Sequence, residues 1–399
     1  MIAIVIVAAL GYFVDIYDLI LFSIVRVPSL KSLGASGDSL LSDGVMLLNM
    51  QMAGMLVGGI LWGILGDKKG RISVLFGSII LYSLANIANG FVQSINQYAV
   101  LRLVAGIGLA GELGAGITLV SEVMSKESRG YGTMIVATIG ILGAVAAALI
   151  GDFFEWRIAF FVGGGLGLIL LVLRIGVYES GMFSAMLSKN IKKGSFLDLF
   201  TNRKRFLRYI KCIAIGVPIW FVVGILITFS PEFAKVLGIK EPISAGNAVM
   251  YCYIGLALGD FTSGSLSQLI RSRKKVVFMY IIIMTFFIGV YLFYNHFNSF
   301  YFYTLCIFLG FGGGYWAIFV TIASEQFGTN LRATVTTTVP NFVRGGVVPL
   351  TLAFEFVSRQ IGIIYGGLIV GAAALIIAYI SAINLEETYG KDLNYVELL

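Results

Sequence analysis

The sequence predicts an all-α membrane protein with twelve transmembrane helices in two pseudo-symmetric six-helix bundles. Three observations predict this fold class. Hydrophobic residues make up 58% of the 399 residues and charged residues only 12%, about half the charged share of a soluble domain. Apolar runs of about 20 residues, long enough to cross a bilayer, recur from one end of the chain to the other. Charged signatures at the ends of these runs recur in the second half of the chain.

The apolar runs place the twelve predicted spans along the chain. They are 2–27, 44–66, 72–92, 97–123, 130–151, 157–178, 208–230, 244–269, 276–295, 299–325, 333–356 and 360–383. The longest polar interval separates the sixth span from the seventh. We therefore predict an N-terminal six-helix bundle, a cytoplasmic linker, a C-terminal six-helix bundle and a cytoplasmic tail, at 1–178, 179–207, 208–385 and 386–399. The first run is too long for a signal peptide and is predicted to be the first span.

Basic residues are distributed unevenly between the two sets of loops. With the N-terminus inside, only six lie on the outer side, namely Arg26, Lys31, Arg157, Lys235, Lys240 and Arg359. The positive-inside rule therefore predicts that both termini are cytoplasmic, in the inner membrane of the cell. The same rule explains the net charge of +7 without a nucleic-acid partner. The basic runs Lys192-Lys193 and Arg203-Lys204-Arg205 are interpreted mainly as orientation signals, with contact to anionic headgroups as the alternative.

Residue usage argues against several other classes of protein. Cys212, Cys252 and Cys306 all fall within apolar segments without metal-ligand spacing, and His296 is the only histidine. We therefore predict no metal and no cofactor. The sequence contains no nucleophile motif and no phosphate-binding loop, so we predict that the protein is not an enzyme. A receptor without transport activity is disfavoured because the sequence shows no soluble signalling domain.

One charged signature recurs at equivalent positions of the two halves. Ser121-Glu122 ends the fourth span and is followed by Arg129, seven positions after the glutamate. Ser324-Glu325 ends the tenth span and is followed by Arg332 at the same spacing. Matched signatures in two six-helix halves are typical of transporters built from an internal repeat.

Five segments resemble motifs of the major facilitator superfamily, and together they extend over nearly the whole chain. Gly63-x3-Asp67-Lys68-x-Gly70-Arg71 resembles the signature of the loop between helices two and three, and Arg102-x3-Gly106-x-Gly108 resembles the fourth-helix motif. Glu122…Arg129-Gly130 and Glu325…Arg332 are similar to loop signatures of the sugar-porter and metabolite-symporter branches, and 386–393 is similar to their ending. The resemblance implies an alternating-access transporter that works as a monomer.

The resemblance also implies which residues form a cytoplasmic gate. These gating candidates are Gly63, Asp67, Gly70, Arg71, Glu122, Arg129, Glu325 and Arg332. Asp67 at a helix end can accept hydrogen bonds from backbone donors and pair with an arginine, and such bonds can break when the halves rock. The alternative is that these charges only set topology and cap helices. Gln268 replaces aspartate in the second copy, which predicts a weaker second gate.

Charges within predicted spans need an explanation, because each costs at least about 2.5 kcal/mol on insertion scales. Asp15 and Asp18 lie three positions apart on one face of the first span, where one of them could carry a proton from a wet cavity. The alternative is a structural pair with a basic side chain. The resemblance implies proton coupling for Arg102. Glu112 is a further proton-coupling candidate, against a structural hydrogen bond to span one or five.

Arg344 lies near the centre of the eleventh span, too far from either end to reach water easily, and should face a central cavity. Its guanidinium can bind a carboxylate or phosphate through two parallel hydrogen bonds. The competing interpretation is a salt bridge to Asp15, Asp18 or Asp260, and both can hold in turn if a proton neutralises the aspartate. The predicted substrate-binding residues are Arg344, Asn341, Trp220, Tyr315 and Trp316. For each aromatic residue, core packing is the alternative.

These observations predict a secondary active transporter that couples protons to the symport of a small carboxylate-bearing metabolite, either an organic acid or an amino acid. The predicted partners are the substrate, protons and the lipid bilayer. The alternative is a sugar or polyol facilitator, in which Asn341, Gln51 and Asn49 bind the substrate and Arg344 is structural. An efflux antiporter is less favoured, because the fifth span lacks the Gly-Pro element typical of drug antiporters.

Overall fold

A computed structural model describes residues 2–36, 39–125, 128–175, 196–293 and 298–397, which are helical and contain no β-strand. Helices separated by a break of one or two residues carry one label. The labelled helices are α1 (Ile2–Ser32), α2 (Ser39–Lys69), α3 (Arg71–Asn89), α4 (Ile95–Leu109 and Glu112–Val123), α5 (Arg129–Ile141 and Gly143–Phe153), α6 (Trp156–Leu173), α7 (Arg203–Ala214, Val217–Phe221 and the π-helical Val222–Ile227), α8 (Ala245–Leu269), α9 (Arg273–Phe293), α10 (Ser299–Gly313 and Trp316–Gln326), α11 (Arg332–Gly345 and Val347–Ile361) and α12 (Ile363–Asn384).

Ten helical stretches of the described residues are long and apolar enough to cross a membrane, so the chain is a multi-pass membrane protein. α8 and α11 are not among them, because both carry polar side chains that are buried inside the protein. Asp260 and Ser263 in α8 and Thr334 and Thr338 in α11 are fully buried. Twelve spans in two bundles therefore remain a prediction.

The start of α7 differs from the predicted boundary between linker and C-terminal bundle. The helix begins at Arg203, within the predicted linker, because the Asn202 side chain caps it by accepting hydrogen bonds from the backbone N–H groups of Lys204 and Arg205. A short helix, Asp198–Thr201, precedes it. Linker residues 179–195, which include Lys192-Lys193, and residues 294–297, which include His296, lie outside the described residues.

Close packing of α2 against α4 is repeated by α8 against α10. A Cβ atom added to Gly54 or Gly58 would overlap a backbone carbonyl oxygen of α4, and one added to Gly255 or Gly259 would overlap a carbonyl oxygen of α10. The two pairs of glycines are 201 positions apart in the sequence. In addition, α2 contacts α11 and α5 contacts α8. These repeated close approaches, which small residues permit between membrane helices, support the predicted duplication.

Gly310 in α10 provides a test of this packing. A Cβ atom there would overlap the carbonyl oxygen of Cys252, whereas nothing lies within 4 Å of one added to Gly289 in α9. We expect Gly310→Ala to lower the free energy of unfolding by about 1–3 kcal/mol, because the helices must separate. Gly289→Ala should leave it unchanged or raise it, because alanine favours helix. The melting temperatures of both variants are measured by thermal unfolding, with a thiol-reactive dye that reports exposure of the buried cysteines. Equal melting temperatures for Gly310→Ala and Gly289→Ala would contradict the packing argument.

Candidate functional site

A small cavity of about 20 Å³ lies among α1, α5, α7, α8, α10 and α11. Its wall is mostly apolar and aromatic, with one charged side chain, that of Arg344 on α11. The aromatic rings come from Tyr12, Trp220, Tyr253 and Trp316. A mostly apolar wall with one fixed polar group is typical of a site for a small molecule. The space between these side chains holds about one water molecule, so a substrate must move them apart to enter.

Interrupted helices meet at this cavity. Arg344 lies next to the break in α11, and Trp316 begins the second segment of α10. Ile141 ends the first segment of α5, and Val223 belongs to the π-helical part of α7. Discontinuous helices free backbone groups and mark binding sites in many transporters, and π-helical turns often lie at functional sites. The breaks therefore single out this cavity as the candidate site.

The guanidinium of Arg344 keeps hydrogen-bonding capacity towards the cavity. Its Nη1 donates to Asn341 Oδ1 at 3.4 Å, and its Nη2 lies 3.9 Å from Asp15 Oδ2. Its Cζ lies 5.5 Å from the centroid of the Trp316 ring. Arg344 Nε and Nη2 and Trp316 Nε1 are buried and have no hydrogen-bond partner among the described residues. Three N–H donors are thus available at the site, and the nearest carboxylate holds Arg344 only loosely.

The predicted substrate-binding residues fall into two groups. Arg344, Trp220 and Trp316 line the cavity. Asn341 and Tyr315 instead brace the surrounding helices. Asn341 Nδ2 donates to the carbonyl oxygen of Ala110 at 2.8 Å, and the Tyr315 hydroxyl donates to that of Ile215 at 2.8 Å. Asn341 also accepts from Arg344, so it positions the guanidinium from behind the cavity wall.

Sequence reasoning missed two aromatic residues of the wall, Tyr12 and Tyr253. Tyr12 lies three positions before Asp15, a helical spacing that places both on one face of α1. That spacing was a usable signal. Tyr253 lies in an apolar stretch of α8, and only the packing of α8 against the other helices places it at the cavity.

The two aspartates of α1 point towards different cations. Asp15 faces Arg344 at the cavity, whereas Arg102 on α4 is the cation that acts most strongly on Asp18. The Asp18 carboxylate and the Arg102 guanidinium are fully buried and have no hydrogen-bond partner among the described residues. Arg102 lies against aromatic rings, with its Cζ 5.3 Å from the centroid of Phe22. The sequence prediction grouped the two carboxylates, but the structure gives each its own environment.

Glu112 forms a buried ion pair with Arg174, a residue to which the sequence analysis gave no role. Arg174 Nη1 donates to Glu112 Oε2 at 2.9 Å and to the Leu75 carbonyl oxygen at 3.0 Å, and Arg174 Nη2 contacts Glu112 Oε1. The sequence analysis expected Glu112 to bond a group in span one or five. Its partner in the structure, Arg174, instead lies just beyond the end of α6. Gly11 of α1 makes room for the pair, because a Cβ there would overlap both side chains. This geometry favours a structural role for Glu112 over the predicted proton-coupling role.

At one end of the bundle, here called the charged end, buried ion pairs join the first six helices to the last six. Glu122 Oε1 accepts hydrogen bonds from Arg71 at 2.9 Å and from Arg332 at 3.0 Å. Glu325 Oε1 accepts from Arg129 at 2.8 Å. The resemblance implied separate networks within each half. In the structure each glutamate binds the arginine of the other half, so these five residues hold the two halves together.

Asp67 makes a further contact between the halves. Its carboxylate accepts hydrogen bonds from the backbone N–H groups of Ala333 and Thr334, at 3.0 and 2.8 Å, in the first turn of α11. A carboxylate is stabilised at the N-terminus of a helix by the free N–H groups there. Gly63 packs against Thr334, and Gly70 has a φ of 98°, which favours glycine. Asp67 and the five ion-paired residues are called the latch below.

The C-terminal segment crosses the charged end and binds the latch. Arg129 Nη2 donates to the carbonyl oxygen of Lys391 at 2.9 Å, and Arg332 Nη2 donates to that of Leu393 at 2.6 Å. One arginine from each half is therefore held by the same short segment, which ties the tail to the closed latch.

Comparisons with known proteins give a consistent result. A model of the Major Facilitator Superfamily matches residues 8–350. The chain is 26% identical over 369 residues to the putative niacin/nicotinamide transporter NiaP of Bacillus subtilis (strain 168), covering 89% of this chain and 88% of the relative. It is 26% identical over 396 residues to the cis,cis-muconate transport protein of Acinetobacter baylyi, covering 95% and 93%. A solved structure of the proton:xylose symporter XylE superimposes with a TM-score of 0.75 at 18% identity, covering 98% of this chain and 97% of that one, and so shares its fold.

Proposed function

The chain belongs to the major facilitator superfamily, a family of transporters and not of enzymes, and we propose that it is a proton-coupled symporter of a small organic acid. Transport proceeds by alternating access between two six-helix bundles of twelve spans in total. The protein lies in the inner membrane with both termini on the cytoplasmic side, as the loop charges favour, and functions as a monomer.

One observation carries the choice of substrate: buried Arg344 has free N–H donors at an aromatic cavity. A buried guanidinium needs an anionic partner, and a carboxylate matches two of its donors at once. The aromatic side chains of Tyr12, Trp220 and Trp316 line the cavity, and aromatic rings pack well against a planar conjugated substrate. One relative is named for niacin and nicotinamide and another for cis,cis-muconate. Niacin carries one carboxyl group and muconate two, each on a planar conjugated framework, whereas nicotinamide carries a neutral amide in place of the carboxyl group. A conjugated carboxylate therefore fits this site better than an amino acid does.

Asp15 links the proton to the substrate. When Asp15 is ionised it attracts Arg344, 3.9 Å away, and competes with the substrate carboxylate. When Asp15 binds a proton, this attraction is lost and Arg344 is free to bind the substrate. Proton and substrate therefore favour each other's binding, which is the coupling that symport requires. Asp18, a second buried carboxylate of α1, is the alternative proton site.

The sugar-facilitator alternative is less well supported. Its binding residues were Asn341, Gln51 and Asn49, and none of them lines the cavity. The Asn341 amide group already donates to two backbone carbonyl oxygens, and Gln51 Nε2 donates to that of Leu19. A sugar site needs several free polar groups at the cavity wall. The likeness to the xylose symporter concerns the fold alone.

Uptake into proteoliposomes tests the proposed function. A thermal-shift screen with nicotinate, benzoate, cis,cis-muconate and xylose first finds a ligand that stabilises the protein. We expect an inward proton gradient to drive accumulation of a carboxylate, and a protonophore to collapse it, because the proton supplies the driving force. Benzamide, which has the shape of benzoate without its charge, is the matched control. Gradient-independent uptake of xylose, with no carboxylate bound, would show that the sugar alternative is correct.

A further inference from the structure

A second cavity lies away from the transport site, at the charged end between α7 and α12. It is a groove of about 410 Å³. Lys204, Arg208 and Lys211 line it, against one carboxylate, that of Glu386. The three cations lie four and three positions apart, so they share one face of α7. The groove therefore has the charge of a site for an anion.

Two of these cations have donors to spare. Lys204 is exposed, and its ammonium group makes no hydrogen bond or ion pair with the described residues. Lys211 uses one donor on the carbonyl oxygen of Asn384, at 3.0 Å, and a lysine has three. Arg208 is already committed, because its Nη2 lies 2.9 Å from Glu397 Oε1 and its Nη1 donates to a backbone carbonyl oxygen. Lys204 and Lys211 are thus the groups available to a bound anion.

An exposed apolar strip runs beside the groove. Leu207 and Ile210, on the adjoining face of α7, are 42% and 40% exposed. Leu197 and Phe200, at the short helix before α7, are 73% and 46% exposed. Basic residues next to exposed apolar ones are typical of a segment at the membrane interface. A phospholipid would contact the basic residues of the groove and the apolar strip together, whereas a soluble anion would contact only the basic residues.

We propose that the groove binds the headgroup of an anionic phospholipid, with Lys204 and Lys211 on the phosphate and an acyl chain along Leu207 and Ile210. Basic pockets at the cytoplasmic ends of membrane helices recognise such headgroups by charge. Assignment to the cytoplasmic leaflet rests on the proposed orientation. Binding itself does not depend on transport, so it is measured on purified protein whether or not a substrate is known.

The test compares two double variants that each remove two lysine charges from the charged end. Lys204→Gln/Lys211→Gln alters the groove, and Lys68→Gln/Lys69→Gln, at exposed positions ending α2, is the matched control. Native mass spectrometry in detergent measures binding of phosphatidylglycerol and phosphatidylcholine. We expect the groove variant to bind phosphatidylglycerol about 25-fold more weakly, because each of the two lysines near an anionic lipid contributes about fivefold. The control variant should bind as the wild type does, and phosphatidylcholine should bind weakly to all three proteins.

Two outcomes would overturn the proposal. The first is unchanged phosphatidylglycerol binding by the groove variant. The second is that inorganic phosphate raises the melting temperature of the wild type as much as phosphatidylglycerol does. That result would show that the groove is a site for a soluble anion. Should the double variant fold poorly, Lys204→Gln alone keeps the test, because this exposed side chain supports no other described residue.

Discussion

Replacing Arg344 with glutamine is expected to reduce uptake of the carboxylate substrate roughly 100-fold. The substitution removes the one charge of the cavity wall and the fork that binds both carboxylate oxygens. Loss of one member of a buried, hydrogen-bonded charge pair costs about 2–5 kcal/mol, and 1.4 kcal/mol is tenfold in affinity. Initial uptake rates over a range of substrate concentrations measure the loss, together with substrate-dependent thermal shifts.

Two comparisons separate recognition from folding. Arg344→Lys keeps the charge without the fork, and we expect it to recover only part of the affinity. Arg344→Gln should also bind the carboxylate no better than the matching carboxamide, such as benzoate and benzamide, because the anion no longer has a partner. If Arg344→Gln folds normally and still prefers the carboxylate, Arg344 is structural and the substrate is recognised elsewhere.

The fold was predictable because its signals are local. Apolar runs mark membrane helices directly, and the spacing from Glu122 to Arg129 repeats from Glu325 to Arg332. Interruptions of the helices were harder to predict. The break in α11 beside Arg344 lies between a threonine-rich segment and a more apolar one, and its position depends on packing against neighbouring helices.

Partners across helices could not be predicted in the same way. Arg344 was identifiable because a charge in mid-membrane needs a reason, whichever residue it meets. Arg174 was missed because it lies near the predicted end of the sixth span, where a charge needs no buried partner. For the latch, spacing indicates that Glu122 and Arg129 lie at one end of the bundle. It does not indicate that each contacts the opposite half, since this depends on how the halves dock.

Replacing Asp15 with asparagine is expected to abolish proton-driven accumulation while substrate binding persists. Asparagine resembles the protonated aspartate in shape and charge, so it removes the attraction that Asp15 exerts on Arg344. We expect wild-type affinity to fall about tenfold as the pH rises, because the ionised carboxylate competes for the guanidinium, and typical couplings are about 5- to 150-fold. The variant should bind equally well across that range. Binding titrations at several pH values, with uptake under a proton gradient, measure both effects.

Two other buried aspartates, Asp260 and Asp18, provide the controls. Asp260 Oδ1 accepts a hydrogen bond from the backbone N–H of Ala317 at 2.9 Å and caps the second segment of α10. We therefore expect Asp260→Asn to lower the melting temperature but leave the pH dependence of binding unchanged. Asp18→Asn distinguishes the two candidate proton sites, because Asp18 faces Arg102 instead of Arg344. If Asp18→Asn removes the pH dependence and Asp15→Asn does not, the proton binds beside Arg102. In that case Asp15 and Arg344 have a structural role at the site, and protonation of Asp15 does not affect substrate binding.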